Sequence, residues 1–135
     1  MARRRISDSD GIAAVRAVIA SESGDADSAQ VDRQTLATAV RYLLEELAAR
    51  APGNSVEVRV PPFGATQCVT GPRHTRGTPP NVIETDPATW VALATGAMDW
   101  QQALDAATVH ASGIRANLDG LLPLLRRGSA PLAAE

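Results

Sequence analysis

The sequence of 135 residues is poor in several residue types, and each scarcity excludes a class of chemistry. All 13 basic residues are arginine, so no lysine is present to form a Schiff base or to serve in a P-loop. A single cysteine, Cys68, cannot form an intrachain disulfide or a multi-cysteine metal site. Aromatic residues make up only 3% of the chain, so the core must come from Leu, Val, Ile and Ala.

The charge balance and the hydropathy pattern exclude two kinds of partner. The net charge of -2 lacks the basic excess of a dedicated nucleic-acid binder, so no nucleic-acid partner is expected. No apolar run approaches the roughly 20 residues of a membrane span. The basic start of the chain is followed by Asp8 and Asp10, which interrupt any signal-type apolar stretch. We therefore expect a cytoplasmic protein without a transmembrane segment.

Catalytic and metal-binding motifs are missing. The chain has no G-x-S-x-G, H-E-x-x-H, G-x-G-x-x-G or P-loop pattern. The two histidines, His74 and His110, lack an evident third ligand, so neither a metal nor a cofactor is predicted. His110 is interpreted as a residue at the end of a helix, and Cys68 as a small buried hydrophobe in a strand. No catalytic residue is assigned, and a non-enzymatic protein is expected.

Apolar periodicity divides the chain into three parts. Residues 9–20 show helical spacing, and a polar linker at 21–28 separates them from a long amphipathic helix over 28–50. We predict an N-terminal segment over 1–27, a compact domain over 28–127 and a C-terminal tail over 128–135. The first segment is expected to add little apolar surface, so its deletion should leave the domain folded.

The second half of the pattern predicts a sheet flanked by short helices. Strands are predicted over 56–60, 65–70, 81–85 and 111–118, where apolar and polar residues alternate or short apolar runs occur. Helices are predicted to open at Asp86-Pro87 and at Asp99, the second running to about Val109, and a Leu-rich helix at 121–125. The fold class is α/β (α+β), with a four- to five-stranded, mostly antiparallel sheet and helices over one face. Five residues should be buried: Leu43, Leu47, Leu93, Ile114 and Leu124.

Several stretches resemble the sterol carrier protein family. The helix over 85–96, the following Ala103, the Gly113-Ile114-Arg115-Ala116 stretch and the leucines over 121–125 are similar to the family pattern. The stretches 56–63 and 71–82 resemble the small actinobacterial branch of that family. The resemblance covers residues 28–127.

This resemblance implies a five-stranded sheet with helices over one face and an apolar tunnel between the layers. It also implies a carrier of fatty acyl chains, sterols or other lipids. Because the strands are short and aromatics are few, we expect a small or closed cavity. The residues expected to line an apolar pocket are Phe63, Val69, Trp90, Leu93, Met98, Trp100, Leu104, Ile114, Leu121 and Leu124.

A Pro-flanked loop supplies the candidate head-group site. Arg73, His74 and Arg76 lie within four residues, and guanidinium forks suit a carboxylate or phosphate. A solvated surface turn and an internal clasp onto Glu84 or Asp86 are the alternative interpretations of this cluster.

Three functions remain open at this point. The first is a non-enzymatic binding module for a lipid-like small molecule. The second is a structural or protein-interaction module, and a homodimer is left open. The third is an accessory domain of an enzyme that holds an anionic substrate at the Arg73/His74/Arg76 loop.

Overall fold

The computed structural model describes residues 5–22, 31–71 and 81–127, together with the backbone of residues 133–134. The helices are α1 (Asp8–Ser21), α2 (Arg33–Arg50), α3 (Pro87–Thr95) and α4 (Trp100–Asp105). The strands are β1 (Val56–Val60), β2 (Gly64–Cys68), β3 (Asn81–Thr85), β4 (Val109–Ser112), β5 (Leu125–Arg126) and β6 (Ala133–Ala134).

Four strands form a mixed sheet in the order β2-β1-β3-β4. Strand β1 pairs antiparallel with β2 and parallel with β3, and β3 pairs antiparallel with β4. The short strands β5 and β6 form a separate antiparallel pair. The α+β class is thereby confirmed, and the four strands agree with the four to five predicted from the sequence.

Alternation along the central strands explains why one sheet face is buried. Val56, Val58 and Val60 are fully buried, whereas Arg59 between them is exposed. Strand β3 repeats the pattern, with Ile83 buried and Glu84 exposed. Since successive side chains of a strand point to opposite faces, the valines lie on the core side and the charges on the solvated side.

Helix α2 supplies most of the apolar layer above this face. Asp32 caps its start by accepting from the backbone N–H of Thr35 at 2.7 Å, a hydrogen bond that lowers the pKa of Asp32. Leu43 and Leu47 have no exposed surface, as predicted. Trp90 of α3 is also fully buried, and its indole N–H donates to the carbonyl of Val40 at 3.2 Å. A buried polar group is thus paired across two packed helices.

Helix α1 belongs to the same core, so the expectation that the first segment adds little apolar surface is wrong. Val15 and Val18 are 0% and 3% exposed and pack in the main cluster. Gly11 meets the ring of Tyr42, where a Cβ atom would lie 2.2 Å from two ring carbons. The hydroxyl of Tyr42 donates to Asp8 at 2.8 Å. The packing of α1 on α2 was not predicted, because the polar residues 21–28 between the two helices suggested a linker to a separate segment.

The chain after β4 differs most from the prediction. The strand ends at Ser112 rather than continuing to 118, because Gly113 adopts a φ of 105° and turns the backbone. Ile114, predicted to be buried, is therefore 98% exposed. In this stretch, the buried apolar side chains are those of Ala116 and Leu118.

The Leu-rich segment is not a helix. Residues 121–124 are irregular, with a turn at 121 and a bend at 124, and Leu125–Arg126 form strand β5. Helix α4 also ends at Asp105, four residues before the predicted Val109. Part of the predicted tail, Ala133–Ala134, pairs with β5.

Candidate functional site

A cleft of about 320 Å³ opens where α3 ends and α4 begins, beside the segment 119–127. Its apolar lining residues are Leu93, Met98, Trp100, Leu122 and Pro123. Pockets that hold small molecules span roughly 300–1,000 Å³ and are mostly apolar with a few polar groups. The cleft therefore lies at the small end of that range.

Two helix ends create the opening. Gly96, in the left-handed conformation with φ of 83°, ends α3. Asp99 begins α4 three residues later through a capping box with Gln102, as predicted. The short joint between them carries Met98, and Trp100 stands at the first turn of α4. The sequence features that end one helix and start the next thus place both side chains at the cleft.

Backbone hydrogen bonds bring the C-terminal segment to the same place. The N–H of Leu124 donates to the carbonyl of Ala94 at 2.8 Å, and the N–H of Arg127 to that of Thr95 at 3.3 Å. These bonds run along the end of α3 and hold Pro123 and its neighbours against the opening. The second wall of the cleft is therefore fixed by main-chain contacts rather than by apolar packing alone.

Charged groups surround the apolar floor. Arg127 donates through Nε to Thr95 Oγ1 at 2.8 Å and forms an ion pair with Glu22 at 2.9 Å. Arg126, Asp99 and Asp119 also line the cleft. Because a guanidinium carries five N–H donors, Arg127 retains donors beyond these two contacts. The cleft thus combines an apolar surface with two arginines and two aspartates among its lining residues.

The structure brings together three of the ten residues predicted to line a pocket, namely Leu93, Met98 and Trp100. Trp90 and Leu124 are fully buried in the core, and Leu121 packs against it half-buried. The other predicted lining residues lie elsewhere: Phe63 in a groove beside β2, Val69 near the end of α2, and Leu104 and Ile114 on the surface.

Eight lining residues were not predicted as such, and four of them lie in the C-terminal segment: Leu122, Pro123, Arg126 and Arg127. They were assigned to a Leu-rich helix and its end. Pro123 was the available signal, because proline in a helix interior removes a hydrogen bond and clashes with the preceding turn. The predicted anion site at Arg73, His74 and Arg76 lies outside the described residues.

Neither the single thiol nor the described histidine lines the cleft at the α3–α4 joint. Cys68 is fully buried, and burial raises the pKa of its thiol to about 11, which opposes thiolate formation. His110 lies in strand β4 rather than at a helix end, and its side chain is exposed. Among the described residues, no three His, Cys, Asp or Glu side chains gather as a metal site. None of the described helices is both long and apolar enough to cross a bilayer.

The family of the chain follows from a comparison with protein-family models. A family model described as bacterial SCP ortholog, where SCP denotes sterol carrier protein, matches residues 32–124. The matched range contains β1 to β4 and helices α2 to α4. A comparison with curated proteins found no match.

Proposed function

Since the chain belongs to the bacterial sterol carrier protein-like family, we propose that it is a non-enzymatic binding module for a lipid-like small molecule. The observation that carries the proposal is the cleft at the α3–α4 joint, which Met98 and Trp100 line together with arginines and aspartates. An apolar floor beside fixed cations suits an amphipathic acid. Family membership supports the class of ligand, and the cleft supports its place.

The size of the cleft sets the expected ligand. A volume of about 320 Å³ favours a short acyl chain over a whole sterol or long-chain acid. A longer chain would have to leave part of its length outside. Trp90 and Leu124 fill the space beneath α3, so the ligand is expected at the end of this helix rather than under it.

Two sets of arginines are alternative candidates for binding the head group of the ligand. Arg127 lies at the cleft, and Arg73, His74 and Arg76 remain our proposal from the sequence for an anion-binding loop. The titratable ring of His74 would make binding by the loop depend on pH near its ordinary pKa of about 6.5. Substitution of the arginines in each set shows which set binds the head group.

The experiment begins with native mass spectrometry of the gently purified protein, followed by solvent extraction. Octanoic acid and its methyl ester are then titrated, with tryptophan emission as the readout and Trp100→Phe as the signal control. The acid should bind more tightly than the ester. If the protein retains no lipid and does not bind octanoate, the proposed function is contradicted.

The head-group assignment uses three variants of the same chain. Arg127→Gln should remove the preference for the acid if the cleft arginine holds the carboxylate. The double variant Arg73→Ala, Arg76→Ala should remove it if the loop does. Arg16→Gln, an exposed arginine of α1, is the matched control and should change nothing. Equal affinity of the unaltered chain for acid and ester would contradict both assignments.

A further inference from the structure

A second concavity, of about 410 Å³, lies between α2 and the start of strand β2. Its floor is apolar, with Leu44 and Ala48 from the helix and Phe63 at the turn before the strand. The small residues Gly64 and Ala65 form its strand side. We call it the edge groove. It shares no lining residue with the cleft at the α3–α4 joint.

Strand β2 is an edge strand that carries no charge and no proline of its own. It is the outermost strand of its sheet, and within the described part of the chain only β1 pairs with it. Its sequence, Gly-Ala-Thr-Gln-Cys, holds no charge and no proline. Edge strands are commonly guarded by charged residues, prolines or bulges that prevent pairing with another chain. Among the residues that the structure describes, no strand pairs with the outer side of β2.

Three arginines gather at this edge. Arg41 donates through Nε to the carbonyl of Phe63 at 2.7 Å, and the guanidinium of Arg33 stands 5.1 Å from the centroid of the Phe63 ring. Arg5 lines the groove. Across the described residues, none of these three side chains forms an ion pair.

One carboxylate shares the groove with these arginines. Glu45 Oε1 accepts the backbone N–H groups of Arg5 and Ile6, each at 3.2 Å. These contacts hold its carboxylate at the main chain of the N-terminal segment. The lining of the edge groove holds two guanidinium groups and one carboxylate, so its formal charge is positive in a chain whose net charge is -2, and Arg33 adds a third cation beside Phe63. The charge of the groove therefore favours an acidic occupant.

We propose that the edge groove binds an extended acidic segment of a partner protein, which adds as a strand to β2. Strand addition in a groove beside a sheet edge takes its affinity from main-chain hydrogen bonds and its specificity from alternate side chains. The apolar floor at Leu44 and Phe63 receives one set of side chains of the segment. Its carboxylates meet Arg5, Arg33 and Arg41, where charge-assisted bonds are stronger than neutral ones.

The test starts from a displayed library of eight-residue peptides panned on the full chain. Enriched peptides should carry Asp or Glu and lack proline at their centres. Two of them are synthesised, labelled and titrated by fluorescence anisotropy. Each is also made with N-methyl groups on one or the other alternating set of amides, which blocks strand pairing and leaves the side chains intact.

Strand addition predicts an asymmetric result. N-methylation of one alternating set should weaken binding about 10-fold or more, since several main-chain hydrogen bonds are lost, while the other set changes affinity less than about 2-fold. Arg5→Gln should weaken binding roughly 3- to 10-fold, and Arg16→Gln should not. Arg5→Gln leaves the backbone N–H that Glu45 accepts, so folding is expected to be unchanged.

Four results would overturn the proposal. These are no enrichment, enriched peptides without acidic residues, equal effects of both N-methylated sets, and peptide binding that Arg5→Gln leaves intact. Two further measurements assign the groove to another occupant. Self-association abolished by Arg5→Gln would assign it to a second copy of the chain. Binding to phosphatidylglycerol vesicles that Arg5→Gln abolishes, without peptide binding, would assign it to a lipid surface.

Discussion

The space beneath α2 and α3 and the cleft at the end of α3 are built from similar residues but differ in how they are filled. Beneath the helices, Leu43, Leu47 and Trp90 leave no exposed surface. At the cleft, Met98 remains half-buried beside a volume of about 320 Å³. Interiors pack to nearly crystalline density, so a gap beside apolar groups persists where main-chain turns hold the walls apart. Apolar composition alone therefore does not locate a binding site.

Truncation in the filled region should have the largest effect on stability. Leu47→Ala is expected to lower the free energy of unfolding by about 2–5 kcal/mol, because transfer and cavity terms add at a fully buried leucine. Urea denaturation measures the change. Leu104→Ala, at a side chain 37% exposed, is the matched control and should cost about 0.5 kcal/mol or less. Equal costs at the two positions would contradict the assigned faces.

In the filled region, the thiol of Cys68 should react slowly with alkylating reagents. Burial raises the pKa of Cys68 from 9.0 to about 11, so the thiolate fraction at pH 8 is about 100-fold lower than in the unfolded chain. Alkylation by iodoacetamide at pH 8 should be slower by at least about that factor, measured against the chain in urea.

The sign of the pH dependence follows from the same shift. The folded pKa of Cys68 lies above the unfolded value, so its contribution to stability is complete below pH 9.0 and is lost as the pH rises towards about 11. Rapid alkylation of the folded chain would show that β2 opens from the core.

A substitution in α1 tests whether this helix belongs to the filled region. Gly11→Ala in a free helix would stabilise by about 1 kcal/mol. Here the new Cβ would meet the Tyr42 ring at 2.2 Å, so we expect a loss of about 1–3 kcal/mol instead. Ala17→Gly, at an exposed position of the same helix, should cost about 1 kcal/mol and controls for propensity. If Gly11→Ala stabilised the protein, α1 would not pack against Tyr42 as described, and the N-terminal segment would be separable from the domain.

The smallest change in stability is expected at the open region. Met98→Ala should lower the free energy of unfolding by only about 1 kcal/mol or less, because the half-buried side chain borders solvent and leaves no enclosed cavity. Octanoate affinity should nevertheless fall, measured through Trp100 emission. A loss comparable to that of Leu47→Ala would place Met98 in the packed interior and contradict the cleft.

The sequence predicted local structure well wherever one residue type carries a local mechanism. Asp86-Pro87 and the Asp99–Gln102 capping box open helices as expected, and strand β3 occupies residues 81–85 as predicted. The prediction of a strand over 111–118 was wrong beyond Ser112, because Gly113 turns the chain there. Long-range contacts such as Gly11 against Tyr42 leave no periodic signal in either helix.

The candidate site was predicted only in part for the same reason. Met98 and Trp100 flank a helix joint that composition made conspicuous. Arg127 joins them through hydrogen bonds to Thr95, which is 32 residues away in the chain. This wall of the cleft depends on where the turn-rich segment 119–127 packs against α3, and the spacing of apolar residues does not predict that contact.

The parallel pairing of β1 with β3 has a consequence for the order of events in folding. Strand β2 lies within the crossover between them, so the β1–β2 hairpin closes a loop of three residues while β1 and β3 must close one of twenty. Loop-closure entropy and the low local content of parallel pairs make the second event slower. We expect the hairpin to form first and to expose the free edge of β1 until β3 arrives. During that interval, β1 presents a second open edge, besides that of β2, to another nascent chain.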